Sequence, residues 1–198
     1  MNAILLSGGL DSTSIAYWIK PDFAFTIDYG QNSAEAEIEA SKSICKRIGI
    51  NHEIITVDIR SIGSGDLINK SQSVIAPKSD WWPFRNQLLI TIASSYILSN
   101  NLDIDEIIFG SVRNDSYHTD GKKEFFDHMN KLLQFQEGSL KVSTPAIDLT
   151  AVELIKKSNI PLSLLSWSNS CHKARYACGN CRGCYKQQNV FHELGYIL

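Results

Sequence analysis

The sequence predicts an α/β fold, a doubly wound parallel sheet with a small C-terminal zinc-binding subdomain. Short apolar runs alternate with helical periodicities, polar turns follow the runs, and four cysteines crowd the C-terminal end. The first run, Ala3-Ile4-Leu5-Leu6, delivers the chain to Ser7-Gly8-Gly9-Leu10-Asp11-Ser12. Two glycines there can adopt dihedrals closed to other residues, so backbone N–H groups can approach an anion closely. A helix over 11–20 follows, with Ile15, Trp18 and Ile19 at helical spacing and a stop at Pro21. Its unpaired first-turn amides and macrodipole favour phosphate or pyrophosphate, while Ser7, Ser12 and Thr13 add hydroxyl donors. The bland alternative is a hydroxyl-capped helix start with no ligand. A P-loop would carry a lysine after its second glycine, and Leu10-Asp11 stands there instead.

A second strand over 23–27 ends at the turn Asp28-Tyr29-Gly30, and a helix over 33–48 puts Ala34, Ile38, Cys45 and Ile48 on one face. Glutamates load the first half of that helix, Lys46 and Arg47 its last turn, and Gly49 closes it. A third strand covers 53–57. The weakly periodic connection over 58–82 is long enough for a lid or binding loop and is expected to close over substrate. A helix over 85–98 presents Leu88, Leu89, Ile92 and Tyr96, and a strand over 106–109 ends at Gly110. A polar loop over 111–121, a helix over 122–134, a strand near Val142 and a helix over 151–157 lead to Pro161. Residues 1–160 are thus expected to form the α/β domain and 161–198 a cysteine subdomain packed on it. In a parallel sheet the segments 7–12, 28–31 and 110–115 fall at strand carboxyl ends and converge on one crevice.

At 198 residues, with 43% apolar and 20% charged residues, the chain has room for one domain with a full core. The net charge of −2 excludes a global attraction to nucleic acid or anionic lipid, although Lys173, Arg175 and Arg182 crowd one region. No apolar run is long enough for a bilayer, and Met-Asn-Ala enters the first strand without a basic or apolar leader, so a cytoplasmic protein is expected. Five cysteines in such a compartment should be reduced.

Cys171, Cys178, Cys181 and Cys184 form Cys-x6-Cys-Gly-Asn-Cys-Arg-Gly-Cys, in which consecutive Cys-x2-Cys spacings suit a tetrahedral metal and Gly179 and Gly183 relieve the turns. Four protein ligands leave no open position, so the expected zinc is structural. Unligated thiols and an iron–sulfur cluster remain the alternatives, since tetrahedral sulfur suits iron as well. Cys45, on an apolar helix face, is expected in the core. The five histidines are scattered, and His172 finds no vacancy beside four cysteines.

The string Ser7-Gly8-Gly9-Leu10-Asp11-Ser12 resembles the PP-loop of the ATP pyrophosphatases, SGGxDS. Together with the four cysteines it resembles the 7-cyano-7-deazaguanine synthase family over nearly the whole chain. Asp28-Tyr29-Gly30-Gln31 is similar to the family's YGQ turn and Pro83-Phe84-Arg85-Asn86 to its PxRN element; Gly110 and Asp115 fit its later substrate loop, and Ser166-Trp167-Ser168 the segment before the first cysteine. The resemblance implies a PP-loop fold of the adenine nucleotide α-hydrolase kind, with ATP, Mg²⁺ and Zn²⁺, a deazapurine carboxylate and ammonia as small-molecule partners, and a homodimer. The carboxylate of 7-carboxy-7-deazaguanine would attack the α-phosphate of ATP, pyrophosphate leaving into the loop; ammonia would form the amide, and a second adenylation the nitrile. Ser7, Gly8, Gly9, Leu10, Asp11, Ser12 and Thr13 would bind the nucleotide, with Ser7, Asp11, Ser12 and Arg85 catalytic. Asp11 would organise Mg²⁺, with a helix cap as its structural alternative. Arg85, against the alternative of a solvated surface arginine, would hold a carboxylate or phosphate with its fork. Tyr29, Gln31, Arg85, Asn86, Gly110 and Asp115 would meet the substrate, Asn86 serving otherwise as a cap. Tyr29 or a tryptophan could stack on its ring, although core packing is the commoner use of large aromatics.

Three departures from the family's pattern stand out. Asn32-Ser33 replaces Arg-His after YGQ, Asp115-Ser116-Tyr117-His118-Thr119-Asp120 replaces DxSGYPDCR, and Ala151 stands where LxKxE carries its lysine. A lysine elsewhere, Lys122, Lys123 or Lys156, is expected to substitute, or the reaction to be slower. Alternatives to the synthase are a paralogue that stops at the adenylate or amide, one passing the activated acyl group to another amine such as a protein's, a tRNA sulfur transferase with an iron–sulfur cluster, and a non-catalytic nucleotide-binding subunit.

Overall fold

In a computed structural model that describes residues 1–196, five parallel strands run in the order β3-β2-β1-β4-β5. They are β1 (Asn2–Leu5), β2 (Phe23–Asp28), β3 (Asn51–Thr56), β4 (Glu106–Ile108) and β5 (Lys141–Ser143). Helices α1 (Leu10–Ile19), α2 (Ala34–Ile48), α3 (Arg85–Ser99), α4 (Lys123–Phe135) and α5 (Ala151–Ser158) fall between or after them, followed by α6 (Leu162–Leu165) and α7 (Arg182–Glu193).

Side chains alternate across each strand, and the two faces bury different layers. Ala3, Phe25, Ile27, Ile55, Ile107 and Val142 face α3 and α4, meeting Ile90, Ala93, Ile97, Phe126, Met129 and Leu133. Ile4, Leu6, Ala24 and Ile108 face the opposite way, toward Ile15 and Ala16 of α1, Cys45 of α2 and Leu154 of α5. Cys45 is thus a core residue, as its apolar helix position implies. The segment beyond residue 160 joins the same body. Its Leu164, Leu165, Val190 and Phe191 cluster with Leu10, Ala151, Ile155 and Ile160.

The strand order reverses at β1: β2 and β3 lie on one side of it and β4 and β5 on the other. A crevice opens at the carboxyl ends of strands where the order reverses. The turn after β1 and Gly110 after β4 both stand there.

Two helix phases differ from the apolar periodicity. On α2 the buried residues are Ala36, Ala40, Ser41, Ile44 and Cys45, while Ala34, Ile38 and Ile48 are half-buried. At Ala40 the turn after β1 comes so close that a larger side chain would not fit: a Cβ at Gly8 would lie 2.6 Å from that of Ala40. On α3 the buried stripe is Ile90, Ala93 and Ile97, with Leu89, Ile92 and Tyr96 flanking it and Leu88 half-buried. The connection over 58–82 is anchored and does not stand free as a lid: Leu67 and Trp82 are buried in the core, and Asn32 N donates to Leu67 O at 2.8 Å. Two 3-10 turns, Arg60–Ile62 and Gly65–Ile68, shape it.

Ile107 sits on a central strand with no exposed surface. Ile107→Ala is expected to cost about 2–5 kcal/mol through lost burial and a residual cavity. In urea denaturation the midpoint should fall with the slope unchanged. A midpoint equal to that of the parent chain would contradict this packing.

Candidate active site

At the end of β1 the carbonyl of Leu6 accepts from the Thr26 hydroxyl at 2.7 Å and the Ser41 hydroxyl at 3.0 Å, which closes the strand's hydrogen bonding. The chain then turns through Gly8, whose φ of +72° suits glycine. A Cβ at Gly8 would lie 2.6 Å from that of Ala40, so this close approach also excludes larger residues. Helix α1 starts at once. Gly9 occupies its N-cap position in an extended conformation, with no side chain capping the first-turn amides. Ser7 and Ser12 hydroxyls lie 3.2 Å apart, and Ser12 donates to Gly9 O at 3.3 Å. Uncapped amides at a positive helix end are an anion-binding arrangement.

The turn opens into a cavity of about 700 Å³. Of the residues expected at the site, Ser7, Gly9, Leu10, Asp11, Ser12, Tyr29, Arg85, Asn86, Gly110 and Asp115 line it. Gly8, within the turn, and Thr13, buried in α1, lie outside the lining. Gln31 is also absent from the wall, because its side chain works within the turn after β2. It accepts from Tyr29 N at 2.9 Å and donates to Ile27 O at 3.2 Å and to Glu37 at 3.1 Å. Asn86 splits its role: it borders the cavity, yet its amide donates to Asp120 O at 2.8 Å and ties α3 to the loop before α4. Trp82 is a core residue, packed edge-on against Tyr29 with ring centroids 4.9 Å apart.

Asp11 does not cap α1. Its Oδ2 accepts from Lys186 Nζ at 2.7 Å, and its buried Oδ1 has no hydrogen-bond partner among the described residues. Burial raises the pKa of its carboxyl above the usual range, Lys186 opposing and Asp115 adding to the rise. Arg85 is not a solvated surface residue either. It sits in the cavity wall, where burial works against its charge, and the neighbouring Tyr29, Asp120, Asp80 and Glu37 together raise its pKa. Tyr29 is pushed above the ordinary phenol range by burial, with Arg85 opposing.

Several cavity residues escaped sequence reasoning. Lys122, Lys123 and Lys156 are exposed and none borders the cavity; the lysine that does is Lys186, on α7. The signal for α7 was present, since Cys184, Val190 and Phe191 recur at helical spacing before Gly195. His118, His172 and Arg182 gather around Asp80 at the far side, with Arg182 Nε 3.3 Å, His172 Nδ1 3.7 Å and His118 Nε2 3.8 Å from its carboxylate. Asp80 Oδ1, His172 Nδ1 and Arg182 Nε are buried without hydrogen-bond partners among the described residues. These groups meet one another at ion-pair distance without hydrogen-bond geometry, and they border the cavity. The basic residues crowded near the C-terminus do not form a patch, because Arg175 pairs with Glu35 and Glu39, Lys173 with Asp66 and Arg182 with Asp80.

The sulfur atoms of Cys171, Cys178, Cys181 and Cys184 all lie within 4.8 Å of one another, Cys178 and Cys184 at 3.9 Å. Four sulfurs at about 2.3 Å from one tetrahedral ion would be about 3.8 Å apart, so the cluster could hold a metal. Burial pushes Cys184 up to about 12. Burial also opposes ionisation of Cys171, yet backbone N–H groups of Lys173, Cys178 and Ala174 bring its thiol down to about 7. The knuckle adjoins the cavity, for Cys181 caps α7 by accepting from Cys184 N at 3.4 Å, and Asn169 N donates to Gly8 O at 2.8 Å.

Comparison with known proteins decides the family. Residues 2–195 match the family described as queuosine biosynthesis protein QueC. The chain belongs to the QueC family. It is 28% identical to a 7-cyano-7-deazaguanine synthase of Methanosarcina barkeri over 98% of this chain and 95% of that one. With the synthase of Campylobacter jejuni it shares 32% identity over 97% of this chain and 93% of that one. Among solved structures it resembles the U34-tRNA thiolase NcsA of Methanococcus maripaludis with its [4Fe-4S] cluster, at a TM-score of 0.55 and 16% identity. That likeness covers 98% of this chain and 64% of the thiolase and speaks for the fold alone. No helix among the described residues is long and apolar enough to cross a membrane.

Glu37, in the cavity wall beneath the turn, has its carboxyl pushed up to about 7 by burial, against hydrogen bonds from Ser33 and Gln31. Between its ordinary value of 4.5 and about 7 the folded chain holds a proton that the unfolded chain releases. Stability should therefore fall as pH rises through that window and level off above it. Glu37→Gln removes this component. Denaturation midpoints of both proteins across the window should show the flatter profile in the variant, and parallel profiles would contradict the assignment.

Proposed function

We propose that this QueC family member adenylates the carboxylate of 7-carboxy-7-deazaguanine, or of a close deazapurine relative, and converts it through the amide to the nitrile. The observation that carries the reading is the uncapped glycine turn at the reversal of strand order, opening on one polar cavity, in a chain of this family. A carboxylate oxygen attacks the α-phosphorus of ATP and the bond to the β-phosphate breaks. The departing pyrophosphate gathers charge, which the turn amides, the α1 N-terminus and the Ser7 and Ser12 hydroxyls are placed to meet. Mg²⁺, when bound, offsets phosphate charge, and the unpartnered Oδ1 of Asp11 is the hard oxygen suited to it.

Arg85 is the fork for the substrate carboxylate or the α-phosphate, next to Tyr29 and Asn86. Gly110 keeps the end of β4 close to α1: a Cβ there would meet Ser12 Cα at 3.3 Å. Ammonia attacks the acyl carbon and AMP leaves, giving the amide; a second ATP adenylates the amide oxygen, and loss of AMP and protons leaves the nitrile.

The cysteine site is read as structural zinc. The sulfurs cluster tightly enough for one ion, whereas a cubane spreads its four cysteines over four irons. Four thiolates leave no open position for chemistry. The zinc would hold the knuckle against the cavity wall. The thiolase likeness gives sulfur transfer to tRNA no support beyond fold, and nothing in the geometry favours an inactive subunit or transfer to a protein amine.

Incubation of the purified chain with ATP, Mg²⁺, ammonia and 7-carboxy-7-deazaguanine should yield AMP, pyrophosphate and the nitrile by mass spectrometry. Elemental analysis of the same preparation should show zinc without iron. Release of AMP with only an amide or a protein conjugate would overturn the nitrile assignment, and absence of AMP the adenylation itself.

A further inference from the structure

Residues 7–13 carry one charged side chain, Asp11, and it has the wrong sign for a phosphate site. A leaving diphosphate in a desolvated cleft needs a nearby cation as well as amides. Three lysine and arginine side chains border the cavity: Arg85, Arg182 and Lys186. Arg182 lies against Asp80 and Arg85 beside Tyr29. Lys186 alone among these is joined to the turn's own residue. Its Nζ donates to Asp11 Oδ2 at 2.7 Å and to Asp115 Oδ1 at 3.2 Å.

We propose that Lys186 is a catalytic residue of this site, supplying from the first turns of α7 the positive charge that faces the β-phosphate of the nucleotide and the pyrophosphate that leaves. Its ammonium lies between two carboxylates, and Asp115 is held in place by accepting from Val112 N at 3.1 Å. A lysine has three donors on a flexible four-carbon stem. The ammonium can therefore keep one carboxylate and turn remaining donors toward an arriving phosphate. No bond forms or breaks at Lys186; its proton stays on nitrogen and its charge offsets the one that develops on the leaving group. Placement on α7 rather than in the turn ties the active site to the segment that follows residue 160. Helix α7 packs on α5 and α1 through Val190 and Phe191 against Ile155, Ala151 and Leu10, which fixes where the stem begins.

The inference deepens the adenylation reading and rests on it, so binding and turnover are measured separately. Isothermal titration of inorganic pyrophosphate with Mg²⁺ into the full chain reads the phosphate site without catalysis. Lys186→Met should weaken the pyrophosphate Kd by about tenfold or more, the loss of one close charge-assisted contact. It should lower kcat for pyrophosphate release by about 10²-fold while leaving the KM for the acyl substrate unchanged. Lys186→Arg should restore pyrophosphate binding. Should Lys186→Met lose its metal or its cooperative melting transition, the same comparison is read on Lys186→Gln, whose amide keeps a hydrogen bond to Asp11. Pyrophosphate affinity and kcat equal to wild type in a folded uncharged variant would overturn the proposal. A wild-type chain that binds pyrophosphate in a Lys186-dependent way but releases none from ATP would instead overturn the adenylation reading alone.

Discussion

The turn after β1 depends on a close contact between backbone and helix. Gly8 comes so near α2 that a methyl group would collide with Ala40, and its positive φ directs the chain from the strand into α1 without a capping side chain. Several neighbours make this geometry affordable. Thr26 and Ser41 satisfy the Leu6 carbonyl, and Asn169 donates to the Gly8 carbonyl, so the acceptors on the turn are occupied while the first amides of α1 stay uncapped. A phosphate is the natural complement to such a surface.

The C-terminal segment belongs to this arrangement. Asn169 and Lys186 both reach the turn, and the cysteines lie between them in sequence. Cys181 caps α7 while Gly183, where a Cβ would meet Ser170 O at 1.7 Å, lets the knuckle close on itself. A metal at the four sulfurs would thus stiffen a wall of the cavity by fixing the start of the helix that bears Lys186.

The sheet was legible because β1, β2 and β4 are short, largely apolar and followed by polar turns, and because residues 7–12 combine a strand end, two glycines and a helix start in one place. Asp11, Arg85, Asn86, Gly110 and Asp115 could be placed at the cavity from the resemblance and the strand-end rule together. Helix phase was less legible. On α2 one constraint is smallness at Ala40, which apolar periodicity does not mark. Gln31 looked like a substrate residue, but its amide is consumed inside its own turn. Lys186 and the Asp80 cluster were out of reach for a different reason. Their meanings arise from long-range pairings, Lys186 with Asp11 and Arg182 with Asp80, which local pattern does not encode.

The most direct test of the account is amide NMR of the isotopically labelled chain as Mg²⁺-pyrophosphate is added. The N–H signals of Gly9, Leu10, Asp11 and Ser12 should move together and saturate with one dissociation constant, as amides that gain a phosphate acceptor. Shifts confined to another part of the chain, with these four signals stationary, would contradict the claim that the turn after β1 grips the leaving pyrophosphate.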